Sequence, residues 1–198
     1  MMLADIRHRL ARLVRLFRRD ERGVIAVETV VVTPMLLSGL LFSFVFYDVH
    51  LQQSVRDKAS YTMTDALSRE TAVIDDTYID NLKTTFDMIS GARSPVQMRV
   101  SVIRFHDIPG HPWFELRWSE VRGSGALFPL TQQEVSEDTG RLPLMVGGQD
   151  LILVETRSPY VPVLATRWLN DIVLETRMFM TLRFASQLCF EGVCAPTG

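Results

Sequence analysis

The spacing of hydrophobic positions changes along the chain, and each spacing predicts a different element. Val24–Tyr47 is apolar on all sides, because its only ionisable residue before the terminal tyrosine is Glu28. At about 1.5 Å per residue a helix of this run rises roughly 36 Å, which exceeds a hydrocarbon core of about 30 Å. We therefore expect residues 24–47 to form a transmembrane helix.

A basic, amphipathic segment precedes this run. Residues 1–23 hold seven arginines and three carboxylates, a net charge of +4, which leaves −6 for the rest of a chain whose total is −2. Leu3, Ile6, Leu10 and Phe17 recur at helical spacing, as in helices that lie on an anionic membrane surface. The positive-inside rule places this segment in the cytoplasm and the C-terminal part outside it.

Three other interpretations of residues 1–47 are weaker. A buried core helix is disfavoured because the whole 24-residue run is apolar all round. A removed secretory signal has an apolar stretch of only about 7–15 residues and an A-x-A cleavage site, which is absent here. A mitochondrial transit peptide would also be rich in arginine, but the long apolar run directly after it disfavours that assignment.

The helical pattern continues beyond the run and then breaks. An apolar stripe predicts that the first helix extends to about residue 67. This stripe is expected to pack on the chain's own domain or on a partner helix. Its members are Leu51, Val55, Ala59, Met63, Ala66 and Leu67, and Gln52, Arg56, Asp57 and Lys58 are assigned to the surface. Asp75 or Asp76 caps a second helix that ends at Gly91. Its apolar face is predicted to be Tyr78, Ile79, Leu82, Phe86 and Ile89.

From Pro95 the hydrophobic period changes to two. Val96–Val102 and Trp113–Val121 predict an antiparallel hairpin, in which Gln97, Arg99 and Ser101 alternate with the apolar positions of the first strand. A short helix or turn near residues 131–138 follows, then strands at Leu151–Thr156 and Ile172–Phe184. Helices followed by strands predict an α+β domain over residues 48–198, with an antiparallel sheet of about four strands.

The junction between the basic segment and the apolar run carries a resemblance to a known family. The string RDERGVIAVETVVVTPMLL resembles the N-terminus of TadE/TadG-type pseudopilins of the Tad (tight adherence) pilus, and the match covers roughly residues 20–65. It implies cleavage by a prepilin peptidase between Gly23 and Val24, with Glu28 as the fifth residue of the mature chain. Pro34 takes the matching later position and should kink the helix. Thr29 departs from the tyrosine of the major pilins, and DLILVETRSPYVPVL resembles a later TadE segment more weakly.

The resemblance implies a role in the assembly or structure of an adhesive pilus rather than an enzyme. The expected partners are the lipid bilayer, the prepilin peptidase and other pilins and pseudopilins, with no nucleic acid and no small-molecule substrate. Cleavage frees the amine of Val24, and Glu28 of a neighbouring subunit can then pair with it, so that neither charge stays unpaired in lipid. A tolerated charge near the interface is the simpler interpretation of Glu28. The alternative function is an uncleaved, membrane-anchored periplasmic binding or sensor domain.

Candidate chemistry elsewhere is sparse. Cys189 and Cys194 are expected to form a disulfide in an oxidising periplasm, with Cys189 at a sheet edge; free thiols or a metal are the other options. His106, Asp107, His111 and Glu115 can be imagined as metal ligands, but HDIPGHP is better interpreted as a turn-rich hairpin connection. No cofactor is expected, because phosphate-binding and catalytic motifs are absent from the sequence.

Overall fold

A computed structural model of the chain describes residues 24–162 and 172–193. These residues form three α-helices and four strands, and two of the helices precede the first hairpin. In chain order the elements are α1 (Val24–Ser68), α2 (Asp76–Ser90), β1 (Gln97–His106), β2 (Trp113–Arg122), α3 (Gln132–Glu137), a short 3₁₀ helix (Thr139–Arg141), β3 (Asp150–Pro159) and β4 (Val173–Thr181). The predicted α+β class is confirmed.

The chain divides into two compact units, Met1–Phe46 and Tyr47–Gly198. The described part of the first unit consists of helix residues 24–46. The second unit contains the sheet, whose four strands are antiparallel in the order β2-β1-β3-β4. The predicted number of strands and their antiparallel pairing are therefore confirmed.

One face of the sheet carries the larger core. Alternate residues of the two central strands, such as Val100 and Val154, are fully buried there. The C-terminal part of α1 contributes Ala59 and Met63 to the same cluster, and α2 contributes Phe86. The period-two pattern of β1 predicted this face correctly, because side chains of a strand alternate between the two sides of a sheet.

The opposite face of the sheet is also covered, which the sequence interpretation did not anticipate. Ile103, Val135 and Leu153 form a second buried cluster beneath α3. The assignment of Gln97 and Ser101 as merely alternating polar positions is therefore incomplete, since both are buried. The Gln97 amide donates to the carbonyl of Leu127 (2.6 Å) and accepts from its N–H (2.7 Å), so the covering loop provides the partners that a buried amide needs.

Helix α2 begins and ends as predicted. The Asp75 carboxylate accepts the N–H of Tyr78 at 2.7 Å, and Gly91 takes the left-handed conformation (φ 52°) that favours glycine. Ile79, Leu82 and Phe86 are buried as expected. The assignment of Ile89 to the apolar face is wrong, because its side chain is 44% exposed at the penultimate position of the helix.

The stripe on α1 is confirmed in its C-terminal part only. Ala59, Met63 and Leu67 are buried, whereas Leu51 and Ala66 are exposed. Arg56 was assigned to the surface, and that assignment is wrong, because the residue is 2% exposed. Position 56 faces the side of α1 that the domain covers.

The last strand is shorter than predicted. It runs from Val173 to Thr181 rather than from Ile172 to Phe184, and Phe184 is 70% exposed. The reason is a change of partner, since the N–H of Arg183 donates to the carbonyl of Ser68 at the end of α1 (2.9 Å) instead of pairing with β3.

Candidate functional site

The predicted cleavage and assembly residues lie at the start of α1. Val24 is the first residue of the helix, and Gly23 lies outside the described residues. Glu28 is exposed on the second turn of the helix. The helix is continuous through Pro34, so the proline does not end it, and the kink stays a prediction.

The helix around these residues presents apolar side chains to its surroundings. Within the described residues, α1 is the one helix long and apolar enough to be a candidate membrane span, and none of its apolar window is buried. A signal sequence near an N-terminus meets the same criterion of length and composition. The exposed side chains include Val30, Met35, Leu40, Phe42 and Phe46.

The two serine hydroxyls in this segment form hydrogen bonds within the helix. The Ser38 hydroxyl donates to the carbonyl of Met35 (2.8 Å), and the Ser43 hydroxyl donates to the carbonyl of Gly39 (2.9 Å). Such internal hydrogen bonds suit a helix in an apolar medium, where no water is present to accept them. Glu28 is therefore the chemically distinctive group of the segment.

A second carboxylate, Asp48, is the centre of a polar cluster that the sequence interpretation missed. One of its oxygens accepts from the Tyr160 hydroxyl (2.7 Å) and the Gln52 amide (2.8 Å), and Arg93 lies 3.3 Å away. Burial of the Tyr160 hydroxyl and its hydrogen bond to Asp48 raise the pKa of Tyr160 to about 12. No periodic signal marks this cluster, because its members come from separate segments.

The C-terminal segment packs on the core rather than on a sheet edge, so the predicted edge position of Cys189 is wrong. The carbonyl of Cys189 accepts the N–H of Ile74 (2.9 Å), and the carbonyl of Leu188 accepts the indole N–H of Trp118 (2.8 Å). Gly192 has a positive φ of 79°, a backbone conformation that favours glycine in a tight loop. Cys194 lies outside the described residues, and its bond to Cys189 stays a prediction.

The hairpin of β1 and β2 brings together two of the four residues that were considered as metal ligands, His106 and Glu115. His106 Nε2 lies 2.6 Å from a carboxylate oxygen of Glu115, and the imidazole stacks on Trp113 with ring centroids 4.6 Å apart. The hydrogen bond from His106 and the nearby charge of Arg117 lower the pKa of Glu115. Asp107 and His111 do not join them: the described residues contain no group of three or more potential metal ligands.

A cavity of about 630 Å³ lies beside the second core cluster. Arginine and carboxylate side chains line it, including Arg99, Glu155 and Arg177. These charges pair with one another, since Arg99 lies 2.5 Å and Arg177 3.4 Å from Glu155. The lining therefore holds charges of both signs, three arginines and four carboxylates, rather than a centre of one sign.

Fold and site together define an α+β protein with a candidate membrane span at its N-terminal end. No protein-family model, curated protein or solved structure matches this chain.

Proposed function

We propose that this chain is a pseudopilin-like protein of the bacterial inner membrane that acts in the assembly or structure of a Tad-type adhesive pilus. Its N-terminal segment, residues 1–23, lies in the cytoplasm and its domain, residues 48–198, lies in the periplasm or on the pilus. The role is structural and not enzymatic. The observation that carries the proposal is an exposed apolar helix that begins at Val24 and has Glu28 as its only carboxylate before Asp48.

The chemistry of assembly follows from the cost of burying charge. A carboxylate at the centre of a bilayer costs about 2.5–3.5 kcal/mol on insertion scales, and less near an end. Cleavage before Val24 produces a positively charged amine one helical turn from Glu28. Pairing that amine with Glu28 of a neighbouring pilin or pseudopilin neutralises both groups, so the two charges direct helices to pack side by side.

The periplasmic location also accounts for the cysteines. Disulfides form in oxidising compartments, and four residues separate Cys189 from Cys194. Because the segment around Cys189 is already fixed by hydrogen bonds to Ile74 and Trp118, a bond to Cys194 would hold the last residues against the domain.

Sequencing the N-terminus of membrane-extracted protein tests the proposal. In cells with an active prepilin peptidase the mature chain should begin at Val24, and Gly23→Leu should slow cleavage because the bulky side chain hinders the peptidase. Gly39→Ala is the matched control, since a Cβ at Gly39 contacts nothing within 4 Å. Recovery of the intact leader from wild-type cells would contradict the proposal.

An uncleaved, membrane-anchored binding or sensor domain is the second candidate. The 630 Å³ cavity favours it, because binding sites for small molecules commonly measure about 300–1,000 Å³. The same sequencing experiment separates the two functions, since only the pseudopilin requires the leader to be removed.

A further inference from the structure

Arg56 on α1 is buried in an unusual way for an arginine. The residue is 2% exposed, and its Nη1 atom has no hydrogen-bond partner within the described part of the chain. Arginine stays protonated in proteins, so this nitrogen carries part of a full positive charge. Burial of a charge without a partner costs several kcal/mol, which is why buried charges are almost always paired.

Arg56 lines a small cavity whose volume is about 170 Å³. The cavity is bounded by α1 on one side and by residues 90–93, which follow α2, on the other. A water molecule takes about 30 Å³ in the liquid, whereas drug-sized ligands need about 300 Å³ or more. The space therefore fits one small polyatomic group.

The charges around this cavity leave one positive charge unbalanced. Its ionisable side chains are Asp48, Arg56 and Arg93. Asp48 pairs with Arg93 and accepts further hydrogen bonds from Tyr160 and Gln52. Asp48 is thus already engaged, and no ion pair with Arg56 forms among the described residues. A singly charged anion would restore neutrality.

We propose that this cavity binds one phosphate group, either as free phosphate or as the phosphodiester of a phospholipid headgroup. The planar guanidinium of arginine donates two parallel hydrogen bonds to phosphate oxygens, and a phosphodiester carries the single negative charge that the cavity lacks. The cavity lies close in sequence to the end of the apolar run, where the phosphates of a bilayer would be, and this supports the choice of phosphate. Asp48 directly follows Tyr47, the last residue of the apolar run, and arginine side chains on a helix lean toward its N-terminus.

The site goes beyond the proposed pilus role, and binding of free phosphate does not depend on that role. The test uses the full chain in an uncharged maltoside detergent, with thermal unfolding followed by tryptophan fluorescence. A ligand that binds only the native state raises the unfolding temperature, by about 5–11 °C at a hundred times its Kd for a domain of this size. We expect such a rise with inorganic phosphate or with phosphatidylglycerol in mixed micelles.

The two sources are distinguished by the pattern of responses. A response to inorganic phosphate identifies a soluble anion, whereas a response to phosphatidylglycerol alone, without one to diacylglycerol, identifies the lipid headgroup. Absence of both responses in the wild type overturns the proposal. Sodium acetate at matched ionic strength tests the phosphate assignment, and an equal response to acetate would overturn it.

Variants of Arg56 locate the binding. Arg56→Gln should raise the Kd at least tenfold and should unfold at a higher temperature than the wild type without ligand, because the unpaired charge is gone. Arg56→Met, which keeps the apolar stem, serves if the glutamine variant does not fold. Arg69→Gln is the matched control, since Arg69 directly follows the same helix, is exposed and pairs with Asp65 at 3.0 Å. An unchanged response in both Arg56 variants would refute the site.

Discussion

The apolar segment that begins at Val24 and the domain that begins at Tyr47 place their large side chains in opposite ways. Phe42 is 75% exposed on its helix, while Phe86 is completely buried between α2 and the sheet. The domain thus supplies its own apolar environment. The segment cannot, and it needs lipid or neighbouring helices to cover side chains that water would solvate poorly.

Their carboxylates differ in the same way. Asp48 is buried and meets Gln52, Arg93 and Tyr160 within its own domain, whereas Glu28 is exposed on a helix of apolar side chains. A partner for Asp48 is therefore part of the fold. A partner for Glu28 in an apolar medium has to come from another molecule, which is the physical basis of the proposed assembly role.

The largest expected effect compares the two phenylalanines. Phe86→Ala should destabilise the domain by about 3–5 kcal/mol, because it removes a buried ring and leaves a cavity. Phe42→Ala is the matched control and should change domain unfolding by less than about 0.5 kcal/mol. Denaturant unfolding in detergent, followed by tryptophan fluorescence, measures both. Equal losses would show that the two regions do not differ in this way.

A smaller effect compares the two carboxylates after neutralisation. Asp48→Asn should destabilise the domain by about 1–2 kcal/mol, since hydrogen bonds to a charged group are stronger than those to an amide. It should also lower the pKa of Tyr160 from about 12, because the carboxylate is one of the groups that raise it. Absorbance of the phenolate between pH 9 and 13 measures this shift.

Glu28→Gln is the counterpart in the apolar segment. It should leave domain unfolding unchanged and should not impair insertion, because the charge is costly in lipid. Pilus output should nevertheless fall, since the proposed pairing with a neighbour's amine is lost. Normal pilus output from this variant would reduce Glu28 to a tolerated charge.

Periodic features of the fold were predictable, because spacing alone decides which face of an element is buried. The apolar face of β1 and the cap of α2 at Asp75 are examples, and both are confirmed. Burial of Arg56 was not predictable, since polar residues on a helix are solvated unless a later segment covers them. The sequence marks residues 90–93, which line the cavity opposite Arg56, as the end of α2 at Gly91, but it does not indicate against which part of the chain they lie.

The candidate functional site was predictable only in part, again because only a local pattern leaves a signal in the sequence. Glu28 interrupts a uniform apolar run and is conspicuous in the sequence. Asp48, in contrast, acquires its role from Tyr160, which lies 112 residues away along the chain. A contact of that separation leaves no local pattern, and only the folded chain brings it together.

The smallest effect concerns an ion pair at the surface of the domain. Glu115 lies between His106, at 2.6 Å, and Arg117, at 3.4 Å, and its side chain is 31% exposed. The hydrogen bond from His106 is the main cause that lowers the pKa of Glu115 in the folded state. Exposed pairs of this kind contribute about 0.2–1 kcal/mol.

The sign of the pH dependence follows from this lowered pKa. Below its unfolded value of about 4.3 the unfolded chain binds a proton that folded Glu115 still excludes, so folding loses the contribution as pH falls through the folded pKa. Glu115→Gln and wild type should therefore differ in free energy of unfolding by up to about 1 kcal/mol at pH 7, and the difference should shrink as the pH falls below about 4.3. Denaturant unfolding over this range measures it, and Glu137→Gln is the matched control, because Glu137 is exposed and accepts a hydrogen bond from Gln133. A difference between Glu115→Gln and wild type that stays constant with pH would mean that the substitution perturbs packing around Trp113 rather than an ion pair.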